Sequence, residues 1–225
     1  PRGLLRVSAP RSFGDAELGQ AIMEFLVAQP QITVDLRLDD RFVDLVEEGF
    51  DVAIRITDLA DSSLIARRLA DFRTVLTASP EFLEGRPLPQ HPSELLGEPG
   101  IIDTNYRGRH NWAFQDGDER ITVSMTPRVE VNSPEDARAA AFAGLGYARL
   151  PWFTARGAIS DGRLVPLLET YEPRNSGIYA VYPHRRHLSG KVRAFVDFLV
   201  GWFDRCRVLG FAAKPVHGAV LVPLS

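Results

Sequence analysis

Ser12 and Ser133 hold the positions from which this sequence could bind a small anion. Each follows an extended apolar stretch and opens an amphipathic one. A serine in that place caps a helix, its hydroxyl oxygen accepting a hydrogen bond from a backbone N–H two or three residues on. Asp15 stands three residues after Ser12, a capping-box-like spacing. Ser133 is followed by Pro134, Glu135 and Asp136, a full set of helix-start signals. Helix starts expose unpaired N–H groups and the positive end of the helix dipole, which suit a carboxylate or another anion. In open α/β sheets ligands bind beyond the carboxyl ends of the strands, where both serines fall. A serine cap is also a routine local stabiliser, contributing about 1 kcal/mol.

Other chemistry finds little support. The chain has no Gly-x-Ser-x-Gly elbow and no Walker A loop. Gly144-Leu-Gly146 resembles the start of a dinucleotide fingerprint, but it follows a helix and lacks the third glycine. His184 and His187 are spaced like a metal pair. Arg185 and Arg186 separate them, no acid or cysteine cluster stands close in sequence, and a solvated turn is the better reading. The basic run from His184 to Arg193 reads as a charged surface at a helix start. Cys206, the lone cysteine, follows an amphipathic helix and has no nucleophile's surroundings. Asp39-Asp40 and Glu47-Glu48 are acid pairs, yet adjacent side chains point apart, so neither makes a dyad. The expectation is a binding protein with no catalytic residues, no metal and no cofactor.

The elements that must position such a site alternate. Gly3 to Ala9 reads as a buried strand stopped by Pro10. A helix from Ser12 to about Ala28 buries Leu18, Ile22, Phe25 and Leu26. Ile32 to Leu38 is a strand, Asp40 caps a helix ending at Gly49, and Asp51 to Ile56 is a third strand. This β-α-β-α-β order implies a parallel sheet with right-handed crossovers. Leu64 to Ala78 reads as extended chain, and Ser79-Pro80 opens a short helix. Short strands follow at Gly100–Asp103, Trp112–Gln115, Ile121–Met125 and Arg128–Val131, with a hairpin signal at Asp116-Gly117. The helix from Ser133 closes at Gly144 and Gly146. Tyr147 to Leu150 is a strand, Pro151 starts a short helix, and Gly177 to Tyr182 is a strand. Ser189 to Phe203 is an amphipathic helix carrying Val192, Phe195, Val196, Leu199 and Phe203 on one stripe. From Cys206 to Ser225 no helical period is present.

Size and charge set bounds. The 225 residues are 45% apolar, enough for one large domain or two lobes. The net charge of −3 argues against a free-standing nucleic-acid binder. One cysteine excludes a disulfide framework within the chain and fits a reducing compartment. No stretch of eighteen apolar residues is present, and no apolar segment follows the first arginines as in a signal peptide. The chain begins without methionine and reads as a piece cut from a longer protein at a domain boundary.

Taken together, several segments resemble one family. Gly3 to Pro10 followed by Ser12-Phe13-Gly14, and Phe25 to Pro30 before the second strand, look like the start of the effector-binding domain of LysR-type transcriptional regulators. Asp40 to Arg55 is the most specific piece, and with Asp61 to Arg67 it is similar to a large branch of that family. Gly144 to Pro151, Asp161 to Pro166 and Ile178 to Pro183 also match its pattern. The resemblance spans about Pro1 to Phe203. It implies two Rossmann-like α/β lobes joined by two crossover strands, the fold of type 2 periplasmic binding proteins, with an effector cleft between them. Residues 1–73 and 178–205 would form the first lobe, 74–177 the second, and 206–225 a C-terminal extension. Crossovers would fall near Phe72 to Leu76 and near Asn175 to Ile178.

The resemblance further implies a cytoplasmic transcription factor that pairs through its regulatory domains into a homodimer or tetramer. It would reach promoter DNA through an N-terminal winged helix-turn-helix that this chain does not carry, and it would have no membrane partner. Carried over residue by residue, the effector site would comprise Ser8, Pro10, Ser12 and Phe13 after the first strand. Arg55 and Ile56 would follow at the end of the third strand, with Thr104, Asn132 and Ser133 from the second lobe, and Ala148 and Pro151. Hydroxyl and amide groups would bind an acid group, with Phe13 and Ile56 as apolar walls. The rival expectation is a transporter's solute-binding protein of the same fold.

Overall fold

Strand β1 (Gly3–Ala9) lies between two parallel neighbours, β2 (Ile32–Leu38) and β3 (Val52–Thr57). Its inward residues Leu5, Val7 and Ala9 are fully buried, while Leu4 on the other face stays half exposed. Parallel neighbours need a crossover, and a helix supplies it. The structure is a computed structural model that describes residues 1–40, 47–57, 65–106, 108–173, 176–183 and 189–208, with backbone alone at residues 65 and 206–208.

The crossover helix runs unbroken from Arg11 to Ala28 as α1 (Arg11–Phe13), a π-turn (Gly14–Leu18) and α2 (Gly19–Ala28). Phe13 and Leu18 both face the core although they are five residues apart. A regular α-helix would turn them well away from each other, and the wider π-turn brings them onto one face. From Leu18 onward ordinary spacing resumes through Ala21, Ile22 and Phe25. One sequence expectation is corrected here. Pro10, not Ser12, takes the N-cap place, and no capping bond comes from Ser12. Proline's fixed φ lets the helix start two residues earlier, which puts Ser12 inside the first turn.

The first sheet has the order β2-β1-β3-β12-β4, with β12 (Gly177–Tyr182) antiparallel to both β3 and β4 (Ile65–Asp71). Helix α6 (Gly190–Val208) lays Val192, Phe195, Val196, Leu199 and Phe203 against this sheet and α2. Phe25 and Phe195 meet edge to face at 5.1 Å. The helix continues to Val208, beyond the expected end at Phe203, so the extension expected from Cys206 begins as helix; residues 209–225 lie outside the described residues. The expected helix from Asp40 falls largely on residues 41–46, also outside them, and residues 47–49 form a turn.

The second sheet has the order β11-β5-β10-β6-β9. It contains β5 (Thr74–Ala78), β6 (Pro99–Asp103), β9 (Thr126–Val131), β10 (Tyr147–Pro151) and β11 (Val165–Leu167). The run expected as one extended piece to Ala78 is therefore split between the sheets. Helix α3 (Pro80–Leu83) is capped by Ser79 as expected. Helices α4 (Pro134–Phe142) and α5 (Trp152–Ser160) bury Ala137, Ala141, Ala155 and Ala158 against one face. The hairpin of β7 (Asn111–Asp116) and β8 (Glu119–Ser124) adds Trp112, Phe114 and Val123 to the core on the other. Its turn residues are Gly117 and Asp118, one position later than the sequence signal, and Gly117 has φ +56°.

The chain passes between the sheets after β4 and again before β12. The two passages run side by side, with the Phe72 N–H donating to the Ser176 carbonyl at 3.1 Å.

Candidate functional site

The carboxyl ends of β1, β2, β6 and β9 face one another across the gap between the lobes. A cavity of about 530 Å³ fills that gap. Arg11, Ser12, Asp15, Asp39 and Asp40 line it from the first lobe, and Asn105, Asn132, Ser133, Pro134 and Glu135 from the second. Asn105 is held there by its side-chain N–H, which donates to the Asn132 carbonyl at 2.8 Å, and its own backbone N–H donates to Asp103 at 3.0 Å. Ser133 caps α4, its hydroxyl accepting the Asp136 N–H at 3.3 Å.

At the first lobe's helix start one N–H is already engaged. The Arg11 N–H donates to an Asp40 carboxylate oxygen at 2.9 Å, and the Arg11 guanidinium donates to the Leu38 carbonyl at 3.1 Å. Burial first, then the charges of Asp39 and Asp15, raise the Asp40 carboxyl above its ordinary range against the lowering by the Arg11 hydrogen bond and charge. Asp103, at the end of β6, is pushed up to about 6, chiefly by burial and further by the charge of Asp40. Behind it burial lowers the Arg149 guanidinium to about 10. Arg149 lies 4.7 Å over the Phe114 ring and donates to the Ala113 carbonyl at 2.7 Å. Burial also pushes the Tyr106 phenol up.

Two contacts tie the lobes together beside the cleft. Glu17, on the π-turn, pairs with Arg156 of α5 at 2.7 Å. Phe153 of α5 meets both Phe13 at 5.8 Å and Phe72 at 6.3 Å.

This frame, two α/β lobes exchanging chain twice around a polar gap, has clear counterparts. The family model described as the LysR substrate binding domain matches residues 1–204. The chain belongs to the LysR substrate binding domain family. It is 35% identical over 199 residues to the HTH-type transcriptional regulator PtxR of Pseudomonas aeruginosa, covering 88% of this chain and 64% of that one. It is 33% identical over 205 residues to the HTH-type transcriptional regulator DmlR of Escherichia coli, covering 90% and 66%. The chain thus spans slightly less than two thirds of these relatives. Among solved structures, the regulatory domain of CrgA, a LysR-type transcriptional regulator from Neisseria meningitidis, is 29% identical with a TM-score of 0.75, covering 90% of this chain and all of that one. AphB, the virulence activator of Vibrio cholerae, is 29% identical with a TM-score of 0.74 over 90% of this chain and 69% of that one. The fold is the type 2 periplasmic-binding-protein-like one of LysR-type regulatory domains. These relatives are transcriptional regulators, not the solute-binding proteins of the rival expectation.

In this LysR substrate-binding domain the eleven residues expected at the site are distributed unevenly. Ser12, Asn132 and Ser133 line the cavity together. Pro10 and Thr104 immediately precede lining residues, and the Thr104 N–H donates to the Val131 carbonyl at 2.7 Å. Ser8, Phe13, Ala148 and Pro151 are buried and are not among the residues that line the cavity. Ile56 packs against the same core as Phe13. Arg55 lies on the opposite face of β3 from Ile54 and Ile56, and its lowered pKa comes from burial.

Residue-by-residue reading missed Arg11, Asp15, Asp39, Asp40, Asn105, Pro134 and Glu135 as lining groups. Asp39 and Asp40 directly follow a parallel strand, and the rule that ligands bind beyond such strand ends could have found them. Among the described residues no group of three or more His, Cys, Asp or Glu could hold a metal ion; His184 and His187 lie outside them, as does the Cys206 side chain. Among the same residues no helix is long and apolar enough to cross a membrane.

Proposed function

We propose that this domain senses a small-molecule effector in the cleft and passes its occupancy to a DNA-bound oligomer. The observation that carries the reading is one cavity walled by both lobes at the carboxyl ends of their strands, with Ser12, Asn105, Asn132 and Ser133 facing it. A ligand touching both walls binds one lobe orientation better than another, and that difference is what shifts a conformational equilibrium. Sheet membership supports the expected division into 1–73 with 178–205 and 74–177, moved by one residue at Gly177, which opens β12 of the first sheet. Relatives that are longer HTH-type regulators support a cytoplasmic transcription factor. In such a protein a winged helix-turn-helix contacts promoter DNA, regulatory domains pair into a dimer or tetramer, and no chemistry is performed on the effector.

The test is a thermal-shift screen of the chain against carboxylic acids, aromatic acids, amino acids, amines and neutral polyols. A ligand of the folded state adds about 2.7 kcal/mol of stability at a hundredfold excess over its Kd. A shift lost in the Ser12→Ala, Ser133→Ala double variant supports the cleft. A shift that survives both substitutions moves the site elsewhere.

A further inference from the structure

The cleft brings two helix starts together, and in this chain the foremost N–H of the first is engaged from within. The unbroken helix from Arg11 to Ala28 points its first N–H groups toward the cleft, and the Arg11 N–H already donates to Asp40 at 2.9 Å. Asp40 is covalently tethered beside that position, at the end of β2, so it competes at a high effective concentration with any incoming anion. Arg11, the cation among the described lining residues, spends a guanidinium N–H on the Leu38 carbonyl at 3.1 Å. Asp15 and Asp39 line the same wall. An effector carboxylate that took the Arg11 N–H would have to displace Asp40, and anywhere on this wall it would lie near the carboxylates of Asp40 and Asp15, which disfavour it.

We propose that Asp40 is a specificity-determining residue that fills the anion position of the first lobe, so that the effector meets this wall with a hydroxyl or an amine and carries no carboxylate on that side. The inference rests on the cleft being the effector site. It reverses the expectation, drawn from helix starts alone, that Ser12 anchors an acid group.

The experiment follows the backbone amides of the whole 225-residue chain by nuclear magnetic resonance during titration with acetate, in the native protein and in Asp40→Ala. Acetate should move the Arg11 and Ser12 amides saturably in Asp40→Ala, with affinity about tenfold above the native protein, roughly the effect of vacating a helix cap. Asp40→Asn keeps an oxygen for the Arg11 N–H and removes the charge. It should show a smaller gain of the same sign, and it carries the test if Asp40→Ala does not fold. Equal acetate titration at Ser12, Asn132 and Ser133 in native and variant proteins overturns the role of Asp40 and leaves the cleft as the effector site. Titration confined in both to amides away from the cleft overturns the cleft reading as well. No movement in either protein overturns the proposal, since a vacated position would then have no anion affinity.

Discussion

Asp103 ends β6 with 5% of its surface exposed, accepting a backbone hydrogen bond from Asn105 and facing the charge of Asp40. Its carboxyl, raised from 3.8 to about 6, is harder to ionise in the folded protein than in the unfolded chain. The sign of the consequence is fixed by linkage. Below pH 3.8 the acid is neutral in both states and its contribution to stability is fully present; as pH rises through about 6 that contribution is lost, because only the unfolded chain ionises without penalty. Asp103→Asn keeps an acceptor for the Asn105 N–H and removes the charge. It should raise stability above pH 6 by up to about 3 kcal/mol and flatten the slope between pH 4 and 6, as read by urea denaturation across that range. An unchanged pH profile would show that the Asp103 carboxylate is solvated when ionised. Arg149 is the opposite case, a cation whose loss of water is partly offset by the Phe114 face and the Ala113 carbonyl.

At the scale of elements, capping separates two serines that look alike in the sequence. Ser133 accepts the Asp136 N–H and opens α4, whereas Ser12 sits inside a turn begun at Pro10. Ser133→Ala should therefore cost about 1 kcal/mol, while Ser12→Ala should stay within about 0.5 kcal/mol in thermal or chemical denaturation. A loss of similar size in both would restore Ser12 as a cap. Gly146, leading into β10, is required by close approach. A Cβ there would lie 2.5 Å from the Pro99 carbonyl oxygen, which belongs to the neighbouring strand β6 and cannot swing aside. Gly146→Ala should destabilise by about 2 kcal/mol or more, the range of overpacking, and the same denaturation curves measure it.

For the whole molecule, what matters is how firmly two independently cored lobes are joined. The seam between them contains Phe153 against Phe13 and Phe72, and the Glu17–Arg156 pair. Burial raises Glu17 despite its partner, which marks the pair as desolvated, and deleting one member of such a pair leaves an uncompensated charge. Phe153→Ala should cost about 2 kcal/mol, below the usual 3–5 because the ring is not fully buried. It should also loosen the lobes, seen as faster amide hydrogen exchange along α5 and the helix start at Arg11 while both sheet cores stay protected. Exchange confined to α5 would mean that the seam does not couple the lobes.

The sequence by itself determined the elements and the family. Local signals sufficed wherever the interaction is local: the apolar β1, the Ser79 and Ser133 caps, and the stripe of α6 were all readable because each depends on neighbours a few residues away. The combined pattern from Pro1 to Phe203 gave the LysR-type regulatory domain and its two-lobe fold. Ser12 and Ser133 were legible as lining residues because they follow strand ends, and Asn132 through the family resemblance. Only the tertiary structure decided how those ends are used. It divided the extended run at Phe72–Arg73 between two sheets, turned Phe13 and Leu18 onto one face through a π-turn, and set Asp40 against the Arg11 N–H. Each of these joins residues whose partners are chosen by packing across many intervening positions, and periodicity along the chain carries no information about such pairings.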